Sequence, residues 1–243
     1  MPITILITRP EPGGSRFAEQ LRDAQVDLQI CLSPVLRILP EAGDIPLDGV
    51  RGLIFTSQYG VAEYAARTSV RDLPGFAVGG ATAEAAQAVG LAVSDGGGDA
   101  EALVAHIIAQ RPRGPLLHLR GSVAAGDVVG DLSAAGIETR AAVLYRQEAA
   151  APAPEAQSLL AGSAPVIVPF FSPRSAALWF AQGAAQAHPP LVILALSAAV
   201  ARAVPEGAGT VLVAARPDAQ AMLDLMPDAI AAAKRLEGAN GAQ

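Results

Sequence analysis

Residues 52–62 read GLIFTSQYGVA. Leu53, Ile54 and Phe55 form a short apolar run, Thr56 and Ser57 place two hydroxyls in a turn, and a helix begins near Tyr59. Residues 166–177, VIVPFFSPRSAA, have the same grammar: an apolar run, the turn Ser172-Pro173-Arg174-Ser175, then a helix. One stretch lies early in the chain and the other late. The pattern implies two α/β halves, each offering a strand, hydroxyl turn and helix to a shared cleft.

Working outward, the N-terminal segment reads as strand 3–8, helix 15–24 and strand 26–35, a β-α-β unit. Residues 36–50 carry prolines and acids without a clear period and read as a connector. Then come strand 52–56 with helix 59–67, strand 75–78 with helix 81–89, strand 91–93 with helix 100–110, strand 115–119 with helix 123–135, and strand 137–145. Within the unit 115–135, residues 120–122 read as the turn between strand and helix. AAAPAP at 149–154 is a second connector, followed by a short helix over 155–161. Strand–helix pairs 165–171 with 174–186, 191–196 with 198–204, and 210–214 with 218–235 complete the chain. The polar tail 237–243 reads as disordered. Strand, turn, helix in succession gives parallel sheets with right-handed crossovers. The expected fold class is α/β: two flavodoxin-like parallel-sheet domains joined by a two-stranded linker. The first domain is discontinuous, 1–35 with 152–243, and the second, 36–151, is inserted in it.

Composition narrows the function. The chain has 243 residues, is 51% hydrophobic and carries a formal net charge of -6. With aromatics at 4%, base stacking and general nucleic-acid binding are poor readings. Lys234 is the only lysine among the basic residues, the rest being arginines. GC-rich codon usage accounts for that; so does a preference for the fork that holds carboxylates and phosphates. Cys31 is the only cysteine, which excludes an internal disulfide and a cysteine zinc site. His106, His118 and His188 lack metal-ligand spacing. The first residues lack a basic region and the apolar run is too short for a signal peptide. No run approaches a membrane span. The expectation is a cytoplasmic protein with no membrane or nucleic-acid partner.

In open parallel sheets, ligands bind at the carboxyl ends of the strands. The residues expected there are Thr8, Arg9, Thr56, Ser57, Gly79 to Thr82, Arg120, Gly121, Ser122, Tyr145, Arg146, Ser172 to Ser175, Ser197 and Arg216. This set of hydroxyls, glycines and arginines suits an anion held by helix N-termini and guanidiniums. It contains no carboxylate pair, metal cluster or Ser-His-Asp grouping. A plainer reading stands beside this one. Ser and Thr at such turns are common N-caps, Arg9 and Arg120 are solvated turn residues, and Tyr145 closes a strand against the core. Residues 96–98, GGG, lack the spacing of a dinucleotide fingerprint.

The ordered series ILITRP (5–10), LIFTSQYGV (53–61), AVGGATAEA (77–85), LHLRG (117–121), AAGIETRAAVLYRQE (134–148) and FFSPRSA (170–176) resembles the uroporphyrinogen-III synthase family. The likeness continues through LALSAAVARAV (194–204) and VAARPDAQAML (213–223). No single motif is specific, but the series covers nearly the whole chain in order. The resemblance implies two α/β domains on a two-stranded linker, with a polycarboxylated linear tetrapyrrole in the cleft. It implies a monomer that uses no metal or organic cofactor and makes transient contact with hydroxymethylbilane synthase. The implied reaction is cyclisation of hydroxymethylbilane to uroporphyrinogen III with inversion of ring D through a spiro intermediate. Tyr145 matches the family's tyrosine near the linker and is the implied hydrogen-bond donor to the departing hydroxyl. Thr56, Ser57, Thr82, Ser172 and Ser175 match positions expected to hold carboxylates. Arg9, Arg120 and Arg146 are added from their placement at strand ends.

The chain departs from the family pattern in two places. Tyr59 stands where many relatives carry Asn, and the turn Ser197-Ala198-Ala199-Val200 lacks a threonine that many relatives have. Ser197 is the candidate to replace that contact. The competing functional reading is a non-catalytic two-domain binder of small polyanions; a paralogue that kept the fold and lost the site is a third.

Overall fold

A computed structural model describes residues 3–124, 126–183 and 188–240. The chain divides into two compact units, one formed by the segments through Arg37 and from Glu148 onward, the other by Ile38–Gln147. The chain passes between units inside two strands, β3 (Leu36–Pro40) and β8 (Thr139–Ala149).

Unit 1 contains β1 (Thr4–Ile7), β2 (Gln29–Leu32), β9 (Val166–Phe170), β10 (Leu191–Ala195) and β11 (Thr210–Val213). They form a wholly parallel sheet in the order β11-β10-β9-β1-β2. Counted along the unit this is 2-1-3-4-5, the flavodoxin order. Both faces are covered, so the inner strands are continuous apolar runs rather than alternating ones. Ile5, Ile7, Ile167, Val192 and Leu194 face one side with Phe17 and Leu21 of α1 (Gly13–Asp23) and Met222 of α9 (Ala219–Asp224). Leu6, Val168, Phe170, Ile193 and Ala195 face the other, against Trp179 and Phe180 of α7 (Pro173–Ala181). The Phe170 and Trp179 rings meet edge-on at 5.4 Å. Cys31 lies in this second cluster, and burial pushes its thiol up to about 11.

Unit 2 contains β4 (Gly52–Phe55), β5 (Gly75–Ala77), β6 (Val93–Asp95) and β7 (Leu116–Gly121), with β3 and β8 completing the sheet in the order β3-β8-β7-β4-β5-β6. The strands β4 to β8 are parallel neighbours. In chain order they read 3-2-1-4-5, the first five strands of the dinucleotide-fold order 3-2-1-4-5-6. The α/β parallel class therefore holds for both units, but only unit 1 has the flavodoxin strand order. Nothing in the sequence distinguishes the two, because both are built from the same strand–turn–helix unit. Leu53, Phe55, Leu117 and Leu119 pack against Val61 and Tyr64 of α2 (Gln58–Arg67) on one face. Ile54, Phe76 and Leu116 pack against Leu103 and Ile107 of α4 (Ala100–Gln110) and Leu132 of α5 (Val128–Ala134) on the other.

Several elements differ from the sequence expectation, each for a local reason. The supposed connector at 36–50 begins with β3, an edge strand whose pattern is blurred by exposure and by Pro40 at its end. The supposed turn at 120–122 is mostly strand, since β7 runs through Gly121. Strand β8 passes Tyr145 and Arg146 and ends at Ala149, so those residues lie within a strand. The helix expected over 123–135 starts at Val128, because Gly126 has φ +78° and Asp127 caps the helix through Gly130 N–H. The helix expected over 218–235 is two, α9 and α10 (Met226–Asn240), with Pro227 in the first turn of α10. Helix α10 also takes in part of the tail read as disordered; 241–243 lie outside the described residues, as do 184–186 of the helix expected over 174–186. Helix α8 is only Ala198–Ala201.

Candidate active site

In each sheet the connections reverse direction at one point, leaving a crevice at the carboxyl ends of two neighbouring strands. In unit 1 those strands are β1 and β9; in unit 2 they are β4 and β7. The two hydroxyl turns that open the sequence follow β9 and β4. They sit at the switch points of their own units.

In unit 1, Ser172 caps α7, its Oγ accepting from Ser175 N–H at 3.1 Å and donating to Ser175 Oγ at 2.9 Å. Arg9, at the end of β1, lies over the Phe171 ring at 4.4 Å. A Cβ on Gly13 would come within 2.5 Å of Arg9 Nε, so glycine there makes room for the guanidinium. Thr8 is buried and its hydroxyl donates to Pro169 O at 3.4 Å, joining β1 to β9 and pointing into the protein. Ser197 caps the one-turn helix α8 through Val200 N–H at 3.4 Å. The plainer reading of Ser172 and Ser197 as caps is thus met; the Ser172 hydroxyl proton goes to Ser175 Oγ, and each cap oxygen keeps a lone pair.

The denser constellation is in unit 2. Ser57 caps α2 through Tyr59 N–H at 3.2 Å. The side chains of Thr56 and Ser57 serve opposite faces of the sheet. Thr56 Oγ1 meets His118 Nε2 at 3.0 Å, and the Ser57 hydroxyl lies near enough to the Tyr145 phenol to lower its pKa. Thr82 is buried in the first turn of α3 (Gly80–Ala88), the helix after the neighbouring strand β5. Arg120 remains half-buried and donates from Nη1 to Gly121 O at 3.2 Å. Arg146 follows Tyr145 on β8 but lies 3.5 Å from Glu41 Oε1 in a half-exposed pair.

Tyr145 reaches its place through an irregularity. Arg120 pairs with Val143, but Gly121 pairs with Tyr145, so Leu144 is an extra residue in β8. This β-bulge lets consecutive residues Leu144 and Tyr145 both join the buried cluster against α2, where a regular strand would send them to opposite faces. The Leu144 carbonyl accepts instead from Glu41 N–H at 2.8 Å and from Arg67 Nη2 at 2.6 Å. The Tyr145 ring lies beside Gly121, where a Cβ would come within 2.6 Å of Cε2, and its other neighbour is Tyr59 at 5.8 Å between centroids. Burial holds the phenol above its ordinary value of 10, with hydrogen bonds from Ser57 and the Gly121 backbone pulling the other way. The group is therefore a protonated donor at neutral pH.

His118 was passed over in the sequence because it has no metal-ligand spacing; only the register opposite Ile54 of β4 brings it to Thr56. The pair has the spacing of a nucleophile and its base. The imidazole, however, is 2% exposed, and burial, with Arg120 adding to it, pushes its pKa down to about 4. That makes it a weak base at neutral pH, and its role is to orient the Thr56 hydroxyl. The unit 2 constellation by itself offers a neutral phenol, hydroxyls, helix-start amides and the Arg120 guanidinium. Among the described residues no group of three or more His, Cys, Asp or Glu could hold a metal ion, and no helix is long and apolar enough to cross a membrane.

The family model described as uroporphyrinogen-III synthase HemD matches residues 15–224, most of the chain. The chain belongs to the uroporphyrinogen-III synthase family. Its fold is similar to the crystal structure of uroporphyrinogen-III synthetase from Helicobacter pylori, with a TM-score of 0.65 at 16% identity, covering 93% of this chain and 99% of that one. It is also similar to a mutant uroporphyrinogen III synthase from the extremely thermophilic bacterium Thermus thermophilus, with a TM-score of 0.53 at 15% identity over 94% of this chain and 98% of that one. At such identities the likeness is one of fold. No curated protein sequence matches.

Gly121→Ala tests how tightly the Tyr145 cradle is built. The added methyl displaces the ring, which is a side chain and can move. We expect activity to fall at least tenfold while stability falls by about 1–2 kcal/mol. A denaturant titration beside the rate measurement checks both, and an active variant would show that the cradle has slack.

Proposed function

We propose that this member of the synthase family is a working uroporphyrinogen-III synthase, a hydro-lyase that cyclises hydroxymethylbilane in tetrapyrrole biosynthesis. The observation that carries the reading is the Tyr145 phenol, kept protonated by burial and seated against Gly121, where a Cβ would meet the ring. The substrate's terminal hydroxyl leaves as water, giving an azafulvenium. The substituted carbon of ring D attacks it to form a spiro intermediate, which fragments and recloses with that ring inverted. Tyr145 donates a hydrogen bond to the departing oxygen. Thr56, Ser57, Thr82, Ser172, Ser175 and Ser197, with their helix-start amides, hold substrate carboxylates. Arg9 and Arg120 supply positive charge. The substrate contributes most of the chemistry, and the enzyme contributes chiefly orientation. The protein acts as a cytoplasmic monomer, receiving its substrate in transient contact with hydroxymethylbilane synthase.

A coupled assay tests this reading. Hydroxymethylbilane is generated in place, the protein is added, and the uroporphyrin isomers are separated after oxidation. Mainly isomer III is expected. Isomer I alone, at the spontaneous rate and with folded protein that still binds the tetrapyrrole, would establish the binder instead. Tyr145→Phe is expected to lower kcat on the order of tenfold to a hundredfold while KM changes less than about twofold. An unchanged kcat would remove the leaving-group role.

A further inference from the structure

We propose that Arg67, on the last turn of α2 and far in sequence from Tyr145, is a positioning residue that aims the Tyr145 phenol by holding the bulge at Leu144. The inference rests on the role given to Tyr145 under the proposed function. Its geometry is independent of that role.

A bulge residue drops out of the ladder with its neighbouring strand, so its backbone groups must find other partners. The Leu144 carbonyl finds two. Glu41 N–H supplies one bond, at 2.8 Å, and Arg67 Nη2 the other, at 2.6 Å. The same Nη2 lies 2.7 Å from Glu63 Oε2, one helical turn back. Glu63 thus holds the guanidinium against the bulge, and both side chains are only about one-fifth exposed, at 19% and 20%. A half-buried, charge-assisted bond of this kind is firmer than the average surface pair.

The consequence for Tyr145 is mechanical. With Leu144 inserted, Tyr145 stands opposite Gly121, its own carbonyl accepts from Ser122 N–H at 2.8 Å, and its ring lies on the α2 face. If the bulge relaxed into regular pairing, Leu144 would stand opposite Gly121 and the Tyr145 ring would turn to the other face. Ser57 begins α2 and Arg67 ends it. The helix therefore meets the tyrosine at both its ends, Ser57 standing beside the phenol and Arg67 holding the adjoining backbone.

The experiment compares wild type with Arg67→Met, which keeps the packing of the side-chain stem, with Arg67→Gln as a second variant should the first not fold. Two readouts are taken: steady-state constants with hydroxymethylbilane generated in place, and the 13Cζ NMR signal of Tyr145. The chain has three tyrosines, and Tyr145→Phe identifies the signal. The expected result is a shifted Tyr145 signal, kcat lower on the order of tenfold to a hundredfold, and KM within about twofold, with Arg67→Lys recovering most of both. An unmoved signal overturns the assignment whatever the activity, because it reads the phenol directly. A shifted signal with unchanged kcat also overturns it. If Tyr145→Phe itself retains full kcat, the proposed function of Tyr145 fails, and that outcome is told apart because the Arg67 variants' signal is read without turnover.

Discussion

Between pH 7 and pH 4 the protein is expected to lose about 3 kcal/mol of stability through His118 alone. The imidazole is 2% exposed in the middle of β7, and its pKa falls from 6.5 to about 4. Burial is the main cause, and the Arg120 guanidinium adds to it. The folded protein keeps His118 neutral while the unfolded chain takes up a proton at its ordinary value. Stability from this group is thus fully present above pH 6.5, declines as the pH falls below it, and is lost by about pH 4. The measurement is the denaturant midpoint across this range for wild type and for His118→Gln, whose amide can still reach Thr56. The wild type should lose about 3 kcal/mol more than the variant over the interval. Parallel curves would mean that His118 is protonated as easily folded as unfolded, and the tight Thr56–His118 pair would need another account. Activity, unlike stability, should hold through most of this range and fall only near pH 4, where the folded imidazole takes up its proton, can then only donate to Thr56, and so turns its hydroxyl.

Gly60→Ala should cost about 2–3 kcal/mol, although alanine is the better helix former by about 1 kcal/mol. A Cβ at this position would lie 2.7 Å from the Leu119 carbonyl oxygen. That oxygen belongs to β7, a strand with partners on both sides, so it cannot give way. Helix α2 must lift instead. It carries Ser57 at its start, Val61 and Tyr64 in the core, and Arg67 at its end. The same change therefore lowers stability and loosens both holds on Tyr145. Chemical denaturation checks the first effect and the isomer assay the second. A more stable variant would show that helix propensity outweighs the close approach. The contrast with Gly121→Ala is informative, because there the obstacle is a ring that can move.

The hydroxyl turns were legible because each is local. Ser57 and Ser172 sit where an apolar run stops and a helix starts, and both cap that helix through an N–H two or three residues ahead. Burial on both faces of the parallel sheets likewise wrote itself into the runs LIF and VIVPF. The bulge at Leu144 was not legible. In the sequence AAVLYRQE nothing marks the extra residue, since its cause is the register against β7 and the donors on Arg67 and Glu41. His118 was missed for the same kind of reason: its partner Thr56 lies 62 residues away and meets it only because β4 and β7 are neighbours.

By itself the sequence determined the α/β class, the parallel strand–turn–helix rhythm, the hydroxyl N-caps and the family, because each depends on patterns a few residues long or on their order. Tertiary structure alone decided the strand order of the second sheet, the run of β8 past Tyr145, the bulge that aims that residue, and the partners of Arg67, Arg146 and His118. These depend on which distant segments share a hydrogen-bond ladder or a buried face. A chain of similar strand–helix units leaves that choice to packing.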